Sequence, residues 1–500
     1  MVFGLIEAFL VATASLFALI YFTKSKKESR YPPGPTPLPL LGNLHQIGRD
    51  PLKAFQQWAK QYGPIYTVRM GSNHTIVIND HKLLKELFSD NASTGRDNDN
   101  PVFNAFSKTS GIINAEGPTW VEQRRFTVSK LRDMGLLKRS IESLILTEVK
   151  SLLKVLERNA GKPLSENRMF NGAVVNTLWG IVSGERSEWD AEVEPEILKR
   201  AGELVPSINR VSSTGLIFAP FLRYIVPKWS GWTDWINKLS NFLELMDVTI
   251  ANHTKNGGSD HPQNFIDYYL GQIGTEEDPA SSFYKDTGGE NLKAVLSDLF
   301  LAGSETSSTS LAWTMLHLSQ DQVAQRRMQK ELDKVLGEPG SRLPSCEDRP
   351  LLPFTEAVAM EVLRLDPVAP FGVPHKMRQD MEFHGHFLPK GATVWANIYG
   401  IHHDPNVWGD DVEEFKPERF LNDDGTKVIR RDAFIPFSIG RRACPGMPLA
   451  LDTLFLFLSS IFHRFNVEPD PDCLMADFTP LVGIALKPKP FKVVFNTRTT

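Results

Sequence analysis

Cysteine, threonine, glutamate and arginine residues at defined spacings carry the chemistry legible in this chain. The run Phe437-Ser438-Ile439-Gly440-Arg441-Arg442-Ala443-Cys444-Pro445-Gly446 offers one cysteine between arginines and glycines, at the entry to an apolar segment. A thiolate in that setting is a metal ligand, and haem iron is the metal it suits. Gly440 has no Cβ, so the backbone there can turn tightly and approach a flat cofactor. Arg442 adds a fixed positive charge beside the sulfur, able to pair with a haem propionate. Residues 447–458 read as a buried helix, and a helix N-terminus beside the sulfur favours thiolate over thiol. A lone cysteine is more often a small buried hydrophobe; its neighbours reverse that reading here.

A second cluster lies inside the longest helical run, 291–318, at Ala302-Gly303-Ser304-Glu305-Thr306. Glycine inside a helix costs about 1 kcal/mol relative to alanine. A threonine after it can bond back to a carbonyl and bend the helix. Such an opening makes room for a small ligand and water. The plainer reading is a packing glycine beside a solvent-facing Glu-Thr pair. Glu361 and Arg364 stand three apart on a helix face among apolar residues. An isolated pair of this kind adds only a few tenths of a kcal/mol.

Phe437, Gly440, Arg442, Cys444 and Gly446 match every fixed position of Phe-x-x-Gly-x-Arg-x-Cys-x-Gly. This pattern resembles the haem-binding loop of the cytochrome P450 superfamily. The resemblance implies haem b (iron protoporphyrin IX) with Cys444 as axial thiolate, held near Phe437 and Gly440. Ala-Gly-x-Glu-Thr resembles the distal helix of the same family. There Thr306 would hydrogen-bond the dioxygen being cleaved, Glu305 would relay protons, and Ala302 and Gly303 would keep the space above the iron clear. Glu361 and Arg364 resemble the Glu-x-x-Arg that bonds an arginine in Phe-x-Pro-Glu-Arg-Phe, here Arg419, as a structural triad. Trp120 and Arg124 match the Trp-x-x-x-Arg that contacts haem propionates, groups that need cations and donors when partly buried. His375, in Val-Pro-His, resembles a further propionate donor. Arg96 is either another or a surface residue. By alignment, the substrate pocket would draw on Phe103, Phe106, Phe300, Val368, Phe371, Val373, Leu481 and Val482.

These motifs run in family order over 32–446, so the resemblance spans essentially the whole chain. Pro-Pro-Gly-Pro, the cysteine loop and Val-Pro-His point to the animal microsomal group that oxidises drugs, steroids and fatty acids. The activity implied is that of an unspecific-type monooxygenase with a reduced flavoprotein as donor. No Gly-x-Gly-x-x-Gly fingerprint or flavin domain is apparent in the sequence. Electrons would therefore come from NADPH–cytochrome P450 reductase, with cytochrome b5 a possible second donor. Other readings are a haem-thiolate isomerase or dehydratase working without O2, and a non-catalytic haem protein that binds a lipophilic ligand.

The elements that must position these residues are mainly helices with small β-sheets, in a single haem-thiolate domain behind an N-terminal transmembrane helix. The reading places an anchor at 1–22, a basic and Pro-rich linker at 23–39, and the catalytic domain at 40–500. Residues 3–22 are almost wholly apolar, and Lys24, Lys26, Lys27 and Arg30 follow. That length and charge order suit a retained endoplasmic-reticulum anchor with a cytosolic domain, rather than a cleaved signal. Residues 31–39 read as a stiff spacer. The spacing predicts a β-hairpin at 65–79, helices at 134–157, 169–183 and 235–254, hairpins at 381–397 and a last strand pair within 481–495. The apolar stretch 216–232 is either core or a membrane-dipping surface.

Composition narrows the partners. A net charge of −4 over 500 residues, with no basic block interleaved with aromatics, argues against nucleic acid. Cys346 and Cys473 sit in polar, turn-like contexts, and three cysteines give no disulfide framework. His402 and His403 read as structural.

Overall fold

The computed structural model describes residues 30–499 except 40, 49, 72, 108, 135–138, 167–168, 189–193, 214, 217–218, 256–261 and 474. The expected anchor at 1–22 lies outside the described residues, and among them no helix is long and apolar enough to cross a membrane.

Helices form most of the body. Those that position the site are α1 (His81–Ser89), α2 (Gly117–Asp133), α3 (Asn171–Ser183), α4 (Glu196–Ser213), α5 (Lys285–Gln320), α6 (Pro353–Leu365) and α7 (Met447–Arg464). The long helix α5 begins six residues before the expected start. Gly288 and Gly289 mask its first turns in the sequence, yet Gly288 packs so closely that a Cβ would lie 2.3 Å from the Phe283 carbonyl oxygen. The predicted 134–157 helix begins later, at Arg139. Met134 instead closes α2, its N–H donating to the Lys130 carbonyl at 2.9 Å. Helix α7 is apolar nearly all round and is buried from Thr453 to His463, as a helix with no polar face must be.

Small sheets flank the helices. Strands β1 (Ile65–Met70) and β2 (Asn73–Ile78) form the expected hairpin. With β4 (His375–Lys376) and β7 (Thr393–Ala396) they make the sheet β1-β2-β7-β4; β3 (Pro163–Ser165) belongs elsewhere. Strands β5 (Met381–Phe383) and β6 (His386–Leu388) form their own hairpin. The expected final strand pair within 481–495 forms, and a further strand follows it. Strand β9 (Leu481–Val482) pairs β10 (Leu486–Lys487), while β11 (Lys492–Thr497) lies between β3 and β8 (Phe465–Pro469).

Residues 31–39 are not a free spacer. The Pro33 carbonyl accepts from Thr67 N–H at 2.8 Å, and Tyr31 stacks on Phe387. A Cβ at Gly34 would lie 1.9 Å from the Thr67 carbonyl oxygen, so glycine lets this strap press onto β1. The 216–232 stretch divides between both readings. Leu216 is fully buried, whereas Phe221, Tyr224, Ile225 and Trp229 are exposed.

Candidate haem-binding site

The cysteine loop is built by backbone bonds. Cys444 N–H donates to the Phe437 carbonyl at 2.9 Å, and Arg441 N–H to the Phe88 carbonyl of α1 at 2.9 Å. Gly440 makes this possible. Its φ is +80°, and a Cβ there would lie 2.2 Å from that Phe88 oxygen. The Cys444 sulfur has open surface, yet burial pushes its thiol pKa up. The backbone of Gly446 and Met447, and Arg124, pull the pKa down but do not overcome burial. The expected thiolate preference is therefore overturned for the free chain, because desolvation outweighs the helix start. A coordinated metal ion reverses that balance.

A cationic rim surrounds the loop. Arg442 donates to the carbonyls of Thr94 and Ala115 at 2.9 and 2.6 Å. Its guanidinium lies 4.0 Å over the Trp120 ring. Arg124 reaches the Ala443 carbonyl at 2.5 Å. Arg96 donates to the carbonyls of Ile113 and Pro374 and is buried, 6% exposed, which overturns its surface reading. Burial first, then the charge of Arg124 on Arg96 and of Arg96 on Arg442, push both well below the usual guanidinium range, with Glu116 as the opposing carboxylate. The buried Trp120 indole N–H has no hydrogen-bond partner among the described residues. Crowded buried cations beside an unused donor are the setting two propionates would complete. The residues present therefore fit haem.

His375 is a more conditional donor than expected. Its Nδ1 lies 2.8 Å from the Ser93 carbonyl oxygen and must donate to it. Burial and the neighbouring Arg96 hold its pKa well below the usual range. The neutral ring then carries a lone pair on Nε2, so donation to a propionate requires a second proton.

On α5, Ala302 is exposed in the middle of an otherwise well-buried helix. Thr306 Oγ1 donates to the Ala302 carbonyl at 2.6 Å. Glu305 is in an ion pair with Lys487 of β10. Gly303 does not simply clear space. A Cβ there would lie 2.8 Å from Leu178 Cδ1, so the glycine admits α3 against α5.

Glu361, Arg364 and Arg419 come together. Arg364 grips Glu361 with two bonds of 2.7 and 2.8 Å, both side chains 0% exposed. Arg419 Nε donates to the same carboxylate at 3.2 Å.

The expected pocket residues do not all share one surface. Phe300 is packed between Trp179 and Phe242 and is 1% exposed. Phe371 is partly buried and packs at a tilt against Phe55 and Trp395 beside β1. Phe300 is corrected to a core position, where aromatic packing claims its faces. Val368 is buried, while Val373 and Leu481 are about half exposed and Val482 is intermediate. Phe103 and Phe106 lie on the Pro101–Ser107 helix; their side chains fall outside the described residues. Among the described residues no His, Cys, Asp or Glu cluster forms a separate metal site. His402 instead accepts the Ile435 N–H at 3.0 Å.

Two residues escaped the sequence reading. Asp298 is buried on α5 and accepts the N–H groups of Ile112 and Ile113 at 2.7 and 2.9 Å. It thereby holds the loop whose carbonyls receive Arg96 and Arg442. A charge among Val295, Leu296 and Leu299 was the available signal. Lys487 gave none.

Comparison with known proteins closes the description. A family model described as Cytochrome P450 matches residues 32–495. The farnesoate epoxidase of Bombyx mori is 32% identical over 497 residues, covering 97% of this chain and 98% of that protein. Cytochrome P450 2K4 of Oncorhynchus mykiss is 33% identical, with 97% and 96% covered. Cytochrome P450 2F2 of Mus musculus is 35% identical, with 94% and 95% covered.

Proposed function

The chain belongs to the cytochrome P450 family, and from that premise we propose that it is a haem-thiolate monooxygenase acting on a lipophilic small molecule. One oxygen atom of O2 enters the substrate and the other leaves as water, with two electrons and two protons supplied. The observation that carries this reading is the open sulfur of Cys444 inside a cationic rim, together with Ala302 exposed on α5.

Haem bound through Cys444 would supply the activation of O2. Arg96, Arg124, Arg442 and Trp120 would hold its propionates. Thr306 would give up its bond to the Ala302 carbonyl and donate toward the oxygen being reduced. Glu305 would return protons to that position. Val368, Val373, Leu481 and Val482 would face the substrate and keep bulk water out. Glu361, Arg364 and Arg419 serve the fold beneath the cysteine loop.

Fatty acids, steroids, xenobiotics and a farnesoate-like terpenoid all fit an apolar space, and the insect epoxidase makes the last worth testing first. NADPH–cytochrome P450 reductase is the proposed electron donor, with cytochrome b5 secondary. The exposed apolar side chains of 221–229 support residence at the endoplasmic reticulum membrane, with the domain facing the cytosol.

The test begins with the carbon monoxide difference spectrum of the reduced protein beside Cys444→Ser. A strongly red-shifted Soret band, lost in the variant, is expected. Farnesoic acid, lauric acid and testosterone are then offered with reductase, NADPH and O2, and an oxygenated product is expected. Peroxide rearrangement without NADPH would instead establish the isomerase class. Tight ligand binding with no product from any route would establish a binding protein.

A further inference from the structure

The Glu305 carboxylate is held by a cation from the far end of the chain. Lys487 pairs with it, the two side chains being 29% and 17% exposed. Lys487 stands on β10, and that strand is clamped. Its neighbour Leu486 donates N–H to the Val368 carbonyl at 2.8 Å, and the Leu486 carbonyl accepts from Trp313 Nε1 of α5 at 3.1 Å. In the β9–β10 register Lys487 lies directly opposite Leu481, which is half exposed. The hairpin turn packs on α4, where a Cβ at Gly483 would lie 3.0 Å from Asn209 Oδ1. One short hairpin therefore carries both the counter-ion of Glu305 and part of the proposed substrate wall.

Partial burial makes this pairing consequential. A largely desolvated carboxylate without a cation turns toward water. A lysine stem is long and mobile enough to orient a carboxylate without locking it. We propose that Lys487 is a positioning residue for Glu305: its ammonium holds the carboxylate in place next to Thr306, so that proton delivery depends on the seating of the β9–β10 hairpin. This rests on the reading of Glu305 and Thr306 as the proton route.

The experiment uses the full-length holoprotein with reductase, NADPH and O2, without added substrate. Two electrons and two protons convert O2 to hydrogen peroxide, and four of each convert it to water. The readouts are peroxide released per NADPH oxidised and the infrared C–O stretch of the reduced carbonyl complex, which senses distal charge without turnover. In Lys487→Met and Lys487→Gln the peroxide share should change by about twofold or more, and the C–O stretch should shift. Lys487→Arg should return both toward the parent values. Unchanged readouts in the neutral variants at equal haem content overturn the proposal. Loss of haem from both neutral variants also overturns it, assigning Lys487 to stability. Thr306→Ala separates the two levels. If it changes the peroxide share while Lys487 variants do not, only the role of Lys487 fails. If Thr306→Ala is silent as well, the proton route itself is misplaced.

Discussion

The Arg442 guanidinium lies 4.0 Å over the ring of Trp120, while the Trp120 indole N–H is buried without a partner among the described residues. The pair combines a stacked, already satisfied cation with a donor still free to bind an anion. These roles can be separated by substitution. Trp120→Phe keeps an aromatic face under Arg442 and removes the N–H together with the pyrrole part of the indole. Stability of the haem-free chain should fall by about 1–3 kcal/mol, the cost of the lost volume at this buried site. Haem should dissociate about three- to tenfold faster, the worth of one hydrogen bond. Transfer of haem to an acceptor protein measures the rate. An unchanged rate would remove Trp120 from the propionate set.

Glu361 carries the buried charge balance of Arg364 and Arg419. Glu361→Gln leaves the buried Arg364 without its counter-ion and Arg419 with Asp411 alone, and should destabilise the fold by about 3–5 kcal/mol. Arg364→Lys should also fail to restore the parent, because an ammonium cannot repeat the two-pronged contact. Urea unfolding of each variant checks this. A loss below about 1 kcal/mol would place the triad with ordinary surface pairs.

Asp298 predicts a pH dependence. Burial raises its pKa to about 7, above the ordinary carboxyl value near 4. The native state then binds more protons than the unfolded state across that window, so this residue makes stability fall as pH rises from about 4 to about 7. Asp298→Asn keeps an oxygen for the Ile112 and Ile113 N–H groups but does not titrate. Its unfolding midpoint should vary less over that range, with the gain over the parent largest at neutral pH. Parallel midpoint curves for both proteins would contradict the raised pKa.

The exposed side chains Phe221, Tyr224, Ile225 and Trp229 predict a second membrane contact. A chain lacking residues 3–22 should still float in part with phospholipid vesicles. Replacing these four residues by serine in the same background should abolish that flotation. Complete solubility of the truncated chain alone would assign the patch no membrane role.

The sequence by itself determined the reaction class through short patterns. Cys444, Gly440, Arg442 and the Glu305–Thr306 pair are local signals, because the roles proposed for them, a ligand, a tight turn and a proton route, each demand a residue type at a set spacing. The β1–β2 hairpin and the bodies of α3, α5 and α7 were legible for a related reason. Their periodicity is written within a few turns of chain. Partners distant in sequence were not. Arg96 reads equally as a propionate donor or a surface residue until the carbonyls of Ile113 and Pro374 surround it. Phe300 reads as pocket until Trp179 and Phe242 close over it. Gly303 reads as open space until Leu178 fills its face. Lys487 meets Glu305 across most of the C-terminal half of the chain. Tertiary structure decided these because burial, desolvation and charge pairing depend on what packs against a side chain, and neighbouring residues carry no record of that contact.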